Sequence, residues 1–170
     1  MKAITLDEFF EYTDWQRRKW SDWFRQHGDG PLDISAGPNG DGRFTSVGDL
    51  VKHIFSAEKR YVERLTGCAL TDSASISSVN AESLFAFGDQ SRKELRQFIE
   101  GMPEQDWESP LELKILNHVV KASPRKIVMH VLMHEVRHWA QIHTILRLNG
   151  FTGEFHDFLF SPVMGAAGSS

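Results

Sequence analysis

Four stretches of this chain repeat their apolar residues every three or four positions, and each stops at a glycine or an asparagine-glycine pair. A chain patterned this way buries its apolar surface only by packing helices against one another. The first stretch steps through Leu6, Phe10, Thr13, Arg17, Trp20 and Phe24 and breaks at Gly28. Phe9, Trp15 and Trp23 widen its stripe, and Asp7 and Glu8 sit near its start, where the helix dipole favours acids. The second opens at Thr45 or Ser46 and carries Leu50, His53, Ile54, Ala57, Tyr61 and Leu65 inward to a stop at Gly67. The third runs from Asn80 to Gly101 with Leu84, Phe87, Ser91, Leu95, Phe98 and Ile99 inward. The fourth starts at Ser123-Pro124, a cap followed by proline at the first helical position, and ends at Asn149-Gly150.

The connections are long. Residues 28–44, rich in glycine and holding Pro31 and Pro38, read as a loop crossing one end of the molecule. Thr71 to Ser78 is a serine-rich connector. Residues 104–122 are either plain loop or a short hairpin, with Leu111–Leu116 facing His118–Val120 around Asn117. The tail residues Phe151, Phe155, Phe158 and Phe160 are expected to pack back on the helices, and 166–170 to form a flexible tail. The expected fold is all-α: a four-helix bundle with long crossover connections, one domain over residues 1–165.

Charge narrows the partners. A formal net charge of -4 gives no electrostatic reason to expect nucleic acid or an anionic membrane as partner. Arg17, Arg18 and Lys19 are flanked by Asp14 and Asp22 and read as a solvated helix face. No apolar run approaches the roughly 18 residues of a membrane span. The only cysteine, Cys68, cannot form an intramolecular disulfide, which fits a reducing, cytoplasmic setting; it is expected to be half-buried and inert. Five tryptophans and twelve phenylalanines supply apolar surface for a core and a dimer interface.

The chemistry concentrates in His134-Glu135-Val136-Arg137-His138. Two imidazoles four residues apart on a helix point the same way and can grip one ion. On a helical wheel His130, His134, His138 and Gln141 share the inward face, Glu135 lies on its edge, and Trp139 and His143 point further away. His130 and His138 are about 12 Å apart along the axis, so one adjacent pair must serve, with His130 in reserve. A row of buried imidazoles is hard to satisfy by hydrogen bonds alone. His53, on the inward stripe of the second helix, is the natural third ligand, and three imidazoles leave a position open for water or substrate. The same letters spell H-E-x-x-H, a zinc-protease signature with Glu135 as base and Glu154 or His156 as third ligand. Against that, little chain follows His138, and no strand-rich segment precedes it to offer an edge for a peptide.

Two blocks resemble the DinB/YfiT-like metalloenzyme family: Leu50-Val51-Lys52-His53-Ile54-Phe55-Ser56-Ala57-Glu58, and His130 to Ile142. The resemblance, with the order and size of the helices, covers nearly the whole chain. It implies a four-helix bundle, often a homodimer, that holds a divalent ion (zinc, nickel or iron) on His53, His134 and His138. It also implies a metal-dependent enzyme, thiol S-transferase- or hydrolase-like, acting on a small molecule that includes low-molecular-weight thiols in some relatives. The alternative is a non-enzymatic bundle that the ion stabilises, or a dimerisation module. The family block reads His-Arg-Gly-Gln where this chain has His138-Trp139-Ala140-Gln141, so any role of that arginine does not carry over. Glu135 and Gln141 are the candidate catalytic residues. Glu135, or Glu58 one turn beyond His53, is placed to accept a proton or orient a ligand imidazole, and Gln141 to hydrogen-bond at the site.

Overall fold

The computed structural model describes residues 5–115, 117–152 and 157–165. Four helices carry the fold: α1 (Leu6–His27), α2 (Val47–Thr66), α3 (Ala81–Gly101) and α4 (Pro124–Leu148). Each begins at a side-chain cap that satisfies an otherwise orphaned N–H group. Thr5 and Glu8 form a reciprocal capping box at α1. Ser46, Asn80 and Ser123 accept from the backbone three residues on at α2, α3 and α4. Gly67 ends α2 in the left-handed region at φ 71°.

α2 packs against α3 and α4, and α1 packs against the same two helices. α1 therefore stands opposite α2, and α3 opposite α4, so the α1–α2 and α3–α4 connections both cross the bundle. This is the all-α bundle with long crossovers that the sequence leads one to expect. The first crossover contains two 3₁₀ turns, Gly30–Asp33 and Gly37–Gly40, and buries Leu32 and Ala36 in the main core. The second contains an antiparallel hairpin, β1 (Leu111–Ile115) paired with β2 (His118–Ala122), which decides between the two readings of 104–122. Leu116, Phe155 and the 166–170 tail lie outside the described residues.

The main core joins Trp20, Phe24, Leu50, Ile54, Phe55, Leu84, Phe85, Trp139 and Ile142. Trp139 stacks on Trp20 at 5.2 Å and on Phe85 at 6.0 Å between ring centroids. A second cluster holds Phe10, Val62, Leu95, Val128 and Leu132. Close approach is permitted by two glycines. A Cβ on Gly88 would come within 2.7 Å of the Phe55 ring, and one on Gly48 would collide with the Ser78 carbonyl oxygen. Backbone yields less readily than a side chain, so Gly48→Ala is expected to lower stability by about 1–3 kcal/mol in urea unfolding. A midpoint unchanged from wild type would show that the α2–connector contact is looser than described.

Several expectations are corrected here. Trp139 does not point away; it is buried at the centre of the core, because α4 is covered on the α1 side as well as the α2 side. Arg17 is not part of a solvated face; it is 4% exposed and ion-paired inside the bundle. On α3, Phe85 is fully buried and Phe87 only partly. Cys68 is exposed. As expected of the tail, Phe151 packs on Trp23 and the main core, and Phe158, though 40% exposed, packs edge-on against Tyr12 of α1 at 5.0 Å; Phe160 is 46% exposed.

Candidate metal centre

His53 reaches the site from α2, and His134 and His138 from successive turns of α4. Their Nε2 atoms converge: His134 Nε2 lies 3.0 Å from His53 Nε2 and 3.2 Å from His138 Nε2. The ring planes stand at 64–87° to one another, so the nitrogens meet edge to edge and do not stack. Ligands bound about 2.1 Å from one ion at right-angled to tetrahedral spacing are about 3.0–3.4 Å apart, which the observed separations match.

The protonation states fit a cation as well. His138 Nδ1–H donates to Gln141 Oε1 at 2.7 Å, which leaves the lone pair on Nε2. Gln141 is itself anchored by donating its Nε2–H to the Asn39 carbonyl in the first crossover. Burial, reinforced by the neighbouring histidine and arginine charges, pushes His53 down to about 4 and His134 down to about 2. His138 is lowered too, chiefly by burial. At neutral pH the rings are uncharged, and with the proton of each on Nδ1, as it is in His138, three lone pairs meet at one point, an arrangement that a divalent ion satisfies. Phe44 closes one side, its ring 4.6 Å from that of His53 and 5.9 Å from that of His138.

Two predictions follow from these contacts. Gln141→Leu removes the acceptor that fixes the His138 tautomer and is expected to weaken metal binding by about 10–100-fold. Equal affinity of the two proteins, measured by competition with a chromogenic chelator, would deny Gln141 that role. The second concerns the metal-free protein. Unfolded histidine titrates at about 6.5, whereas folded His53 and His134 stay neutral well below that. The unfolded chain thus takes up more protons as pH falls, and stability present above about pH 6.5 is lost progressively toward acid. The chelator-treated wild type should lose Tm between pH 7 and pH 5 more steeply than His134→Phe; equal slopes would contradict it.

The other nominated residues lie elsewhere. His130 does not join the three nitrogens; its Nε2 shares a hydrogen bond with Tyr61 Oη at 3.2 Å, one turn along α4. Glu135 and Glu58 are 1% and 2% exposed on the other side of their helices. The Glu135 carboxylate receives Arg17 Nε at 2.6 Å, Arg17 Nη2 at 2.9 Å, Arg92 Nη2 at 2.5 Å and Trp139 Nε1 at 3.0 Å. Glu58 Oε2 lies 2.9 Å from Arg17 and 3.1 Å from Arg92. Burial on its own would raise the Glu135 carboxyl; Arg17 and Arg92 outweigh it and hold the group below its ordinary range. Glu154 and His156, the third ligands that a protease would need, lie outside the described residues. Sequence reasoning missed Phe44, Asn39 and the Arg17–Arg92 pair; the arginines act through hydrogen bonds 41 to 118 residues apart, Asn39 through one 102 residues away, and Phe44 through its ring contacts with His53 and His138.

The three-histidine cluster is also the group among the described residues whose ligand atoms all fall within 4.8 Å of one another. A four-helix bundle that brings such a cluster together between two of its helices has a site that could hold a metal ion. The chain belongs to the DinB family, whose family model matches residues 1–165. A comparison with curated proteins finds no match.

Proposed function

We propose that this protein is a metal-dependent enzyme, thiol S-transferase- or hydrolase-like, with His53, His134 and His138 holding one zinc, nickel or iron ion. The observation that carries this reading is where the three Nε2 atoms meet. They lie in the wall of a cavity of about 640 Å³, between α2, α4 and the β1 end of the hairpin. A purely structural ion is enclosed by four protein ligands, whereas three in a cavity wall leave room for a small molecule. A divalent ion held there supplies Lewis acidity, which makes a water or thiol nucleophilic near neutral pH.

The chain's own groups do the rest. Gln141 orients His138, and Phe44 keeps water from one flank. His130 and Tyr61 share the cavity wall. Burial lowers His130, so it is neutral and able to accept a proton; burial raises Tyr61, which keeps its own. Glu135 and Glu58 act structurally in this reading, with their carboxylates committed to arginines. A homodimer in a reducing, cytoplasmic setting completes the proposal. It is supported by a single exposed thiol and by Met133 and Leu148, 60% and 72% exposed on α4. No described helix is long and apolar enough to cross a membrane.

The test is turnover of mercaptoethanol with chlorodinitrobenzene, and of p-nitrophenyl acetate, by metal-loaded and chelator-treated protein. Activity that requires the ion and disappears in His53→Ala is expected. Full occupancy with a raised Tm but no metal-dependent turnover of either substrate would favour the metal-stabilised bundle.

A further inference from the structure

Among the described residues, the cavity beside the histidines is lined by five cationic side chains, Arg43, Arg60, Arg64, Lys114 and Arg137, and by no carboxylate. This is unexpected in a chain whose formal net charge is -4. Several of its cations elsewhere face acids: Arg92 and Glu135, Arg96 and Asp14, and Lys59 and Glu94 each meet at 2.5 Å. Among the described residues, Arg137 is the one cavity cation with a carboxylate within reach, Asp41 at 3.6 Å, and that pair is largely exposed. Arg60 Nε is buried and has no hydrogen-bond partner among the described residues.

The geometry gives the cations a direction. His53, Ala57, Arg60 and Arg64 follow one stripe of α2 at spacings of four, three and four. Arg60 is about 10 Å and Arg64 about 16 Å along the axis from His53. Arg64 is steered across to the hairpin, where its Nε–H donates to the Lys114 carbonyl at 3.3 Å, and its Nη1–H donates to the Arg60 carbonyl at 3.0 Å. Burial first, then the Arg60 charge, lower the proton affinity of Arg64, so the two guanidiniums feel each other. A cleft lined by one sign of charge attracts the opposite sign, and guanidiniums grip carboxylate and phosphate oxygens in pairs.

We propose that the substrate of this site is a small organic polyanion. Its carboxylate or phosphate groups lie against Arg60, Arg64 and Lys114, and its reacting end lies against the three histidines. The proposal deepens the metal-enzyme reading and rests on it. Arg60 and Arg64 are the residues that select for charge; the histidines do not distinguish a charged substrate from a neutral one.

The experiment uses cobalt(II)-loaded protein, in which a thiol that reaches the ion produces a sulfur-to-metal absorption band. Mercaptosuccinate, a dianionic thiol, and mercaptoethanol, a neutral one, are titrated into wild type and into Arg60→Gln/Arg64→Gln. Wild type is expected to bind mercaptosuccinate at least about tenfold more tightly than mercaptoethanol, and the double variant to lose that preference while mercaptoethanol changes less than about twofold. Added salt should erode the preference in the same direction. Displacement of mercaptosuccinate by succinate assigns the cationic end to carboxylates, and displacement by inorganic phosphate assigns it to phosphates. A preference that is absent in wild type, or unchanged in the double variant, would overturn the proposal while the cobalt spectrum still reports an intact centre. Failure to bind cobalt at all would instead strike the metal-enzyme reading.

Discussion

Glu135→Ala is expected to cost about 3–5 kcal/mol of stability, the largest loss of any single substitution away from the histidines. The side chain balances charge where water cannot. Arg17 and Arg92, 4% and 6% exposed, share the carboxylates of Glu135 and Glu58 in the middle of the bundle. Removing one carboxylate leaves the two guanidiniums facing Glu58, with Asp14 3.5 Å from Arg92 at the edge, and the Nε–H of Arg17 and the Nε1–H of Trp139 lose their acceptor. Packing loss adds to this, because Trp139 is held between Trp20 and Phe85 by the same contact. Glu135→Gln keeps the volume, so it should fold more stably than Glu135→Ala and bind metal as wild type does. Urea unfolding and metal content together check this. A Glu135→Gln protein that is fully stable but inactive would return Glu135 to the role of general base that the H-E-x-x-H spelling suggests.

His134→Ala is expected to reduce metal affinity by about a hundredfold or more. Its Nε2 is the middle atom of the three, within 3.2 Å of both others, so its loss leaves two imidazoles on different helices. If the ion's binding energy is on the order of 10 kcal/mol, an equal share per imidazole is about 3 kcal/mol, or two decades in Kd. The ring is only partly enclosed at the cavity wall, so the variant should fold. Zinc titration against a chromogenic chelator measures the change. A Kd within a few-fold of wild type would mean that the ion sits elsewhere.

The bundle was legible because its signals are local. Caps, glycine stops and a three-to-four residue period need no knowledge of neighbours. The i, i+4 pair His134 and His138 was legible for the same reason, and His53 followed from its place on an inward stripe together with the family resemblance. What stayed hidden depends on packing. A helical wheel assumes one buried face, but α4 is covered on two flanks, so Glu135 and Trp139 were placed at an edge and outside when both are interior. Arg17 sits beside Arg18 and Lys19 in sequence and looked solvated; its partner Glu135 is 118 positions away. The hairpin was ambiguous because most of β1 and β2 is exposed, so neither strand carries a clear apolar alternation. The cationic cavity draws residues from two connections, two helices and a strand, which no single window of sequence contains.

The central claim is that a histidine on α2 completes a metal centre begun by two histidines on α4. Elemental analysis of purified wild type, His53→Ala and His138→Ala, prepared side by side and reconstituted with zinc, tests it most directly. About one ion per wild-type chain is expected, and about a tenth of that or less in either variant after dialysis. Undiminished stoichiometric metal in both variants would contradict it.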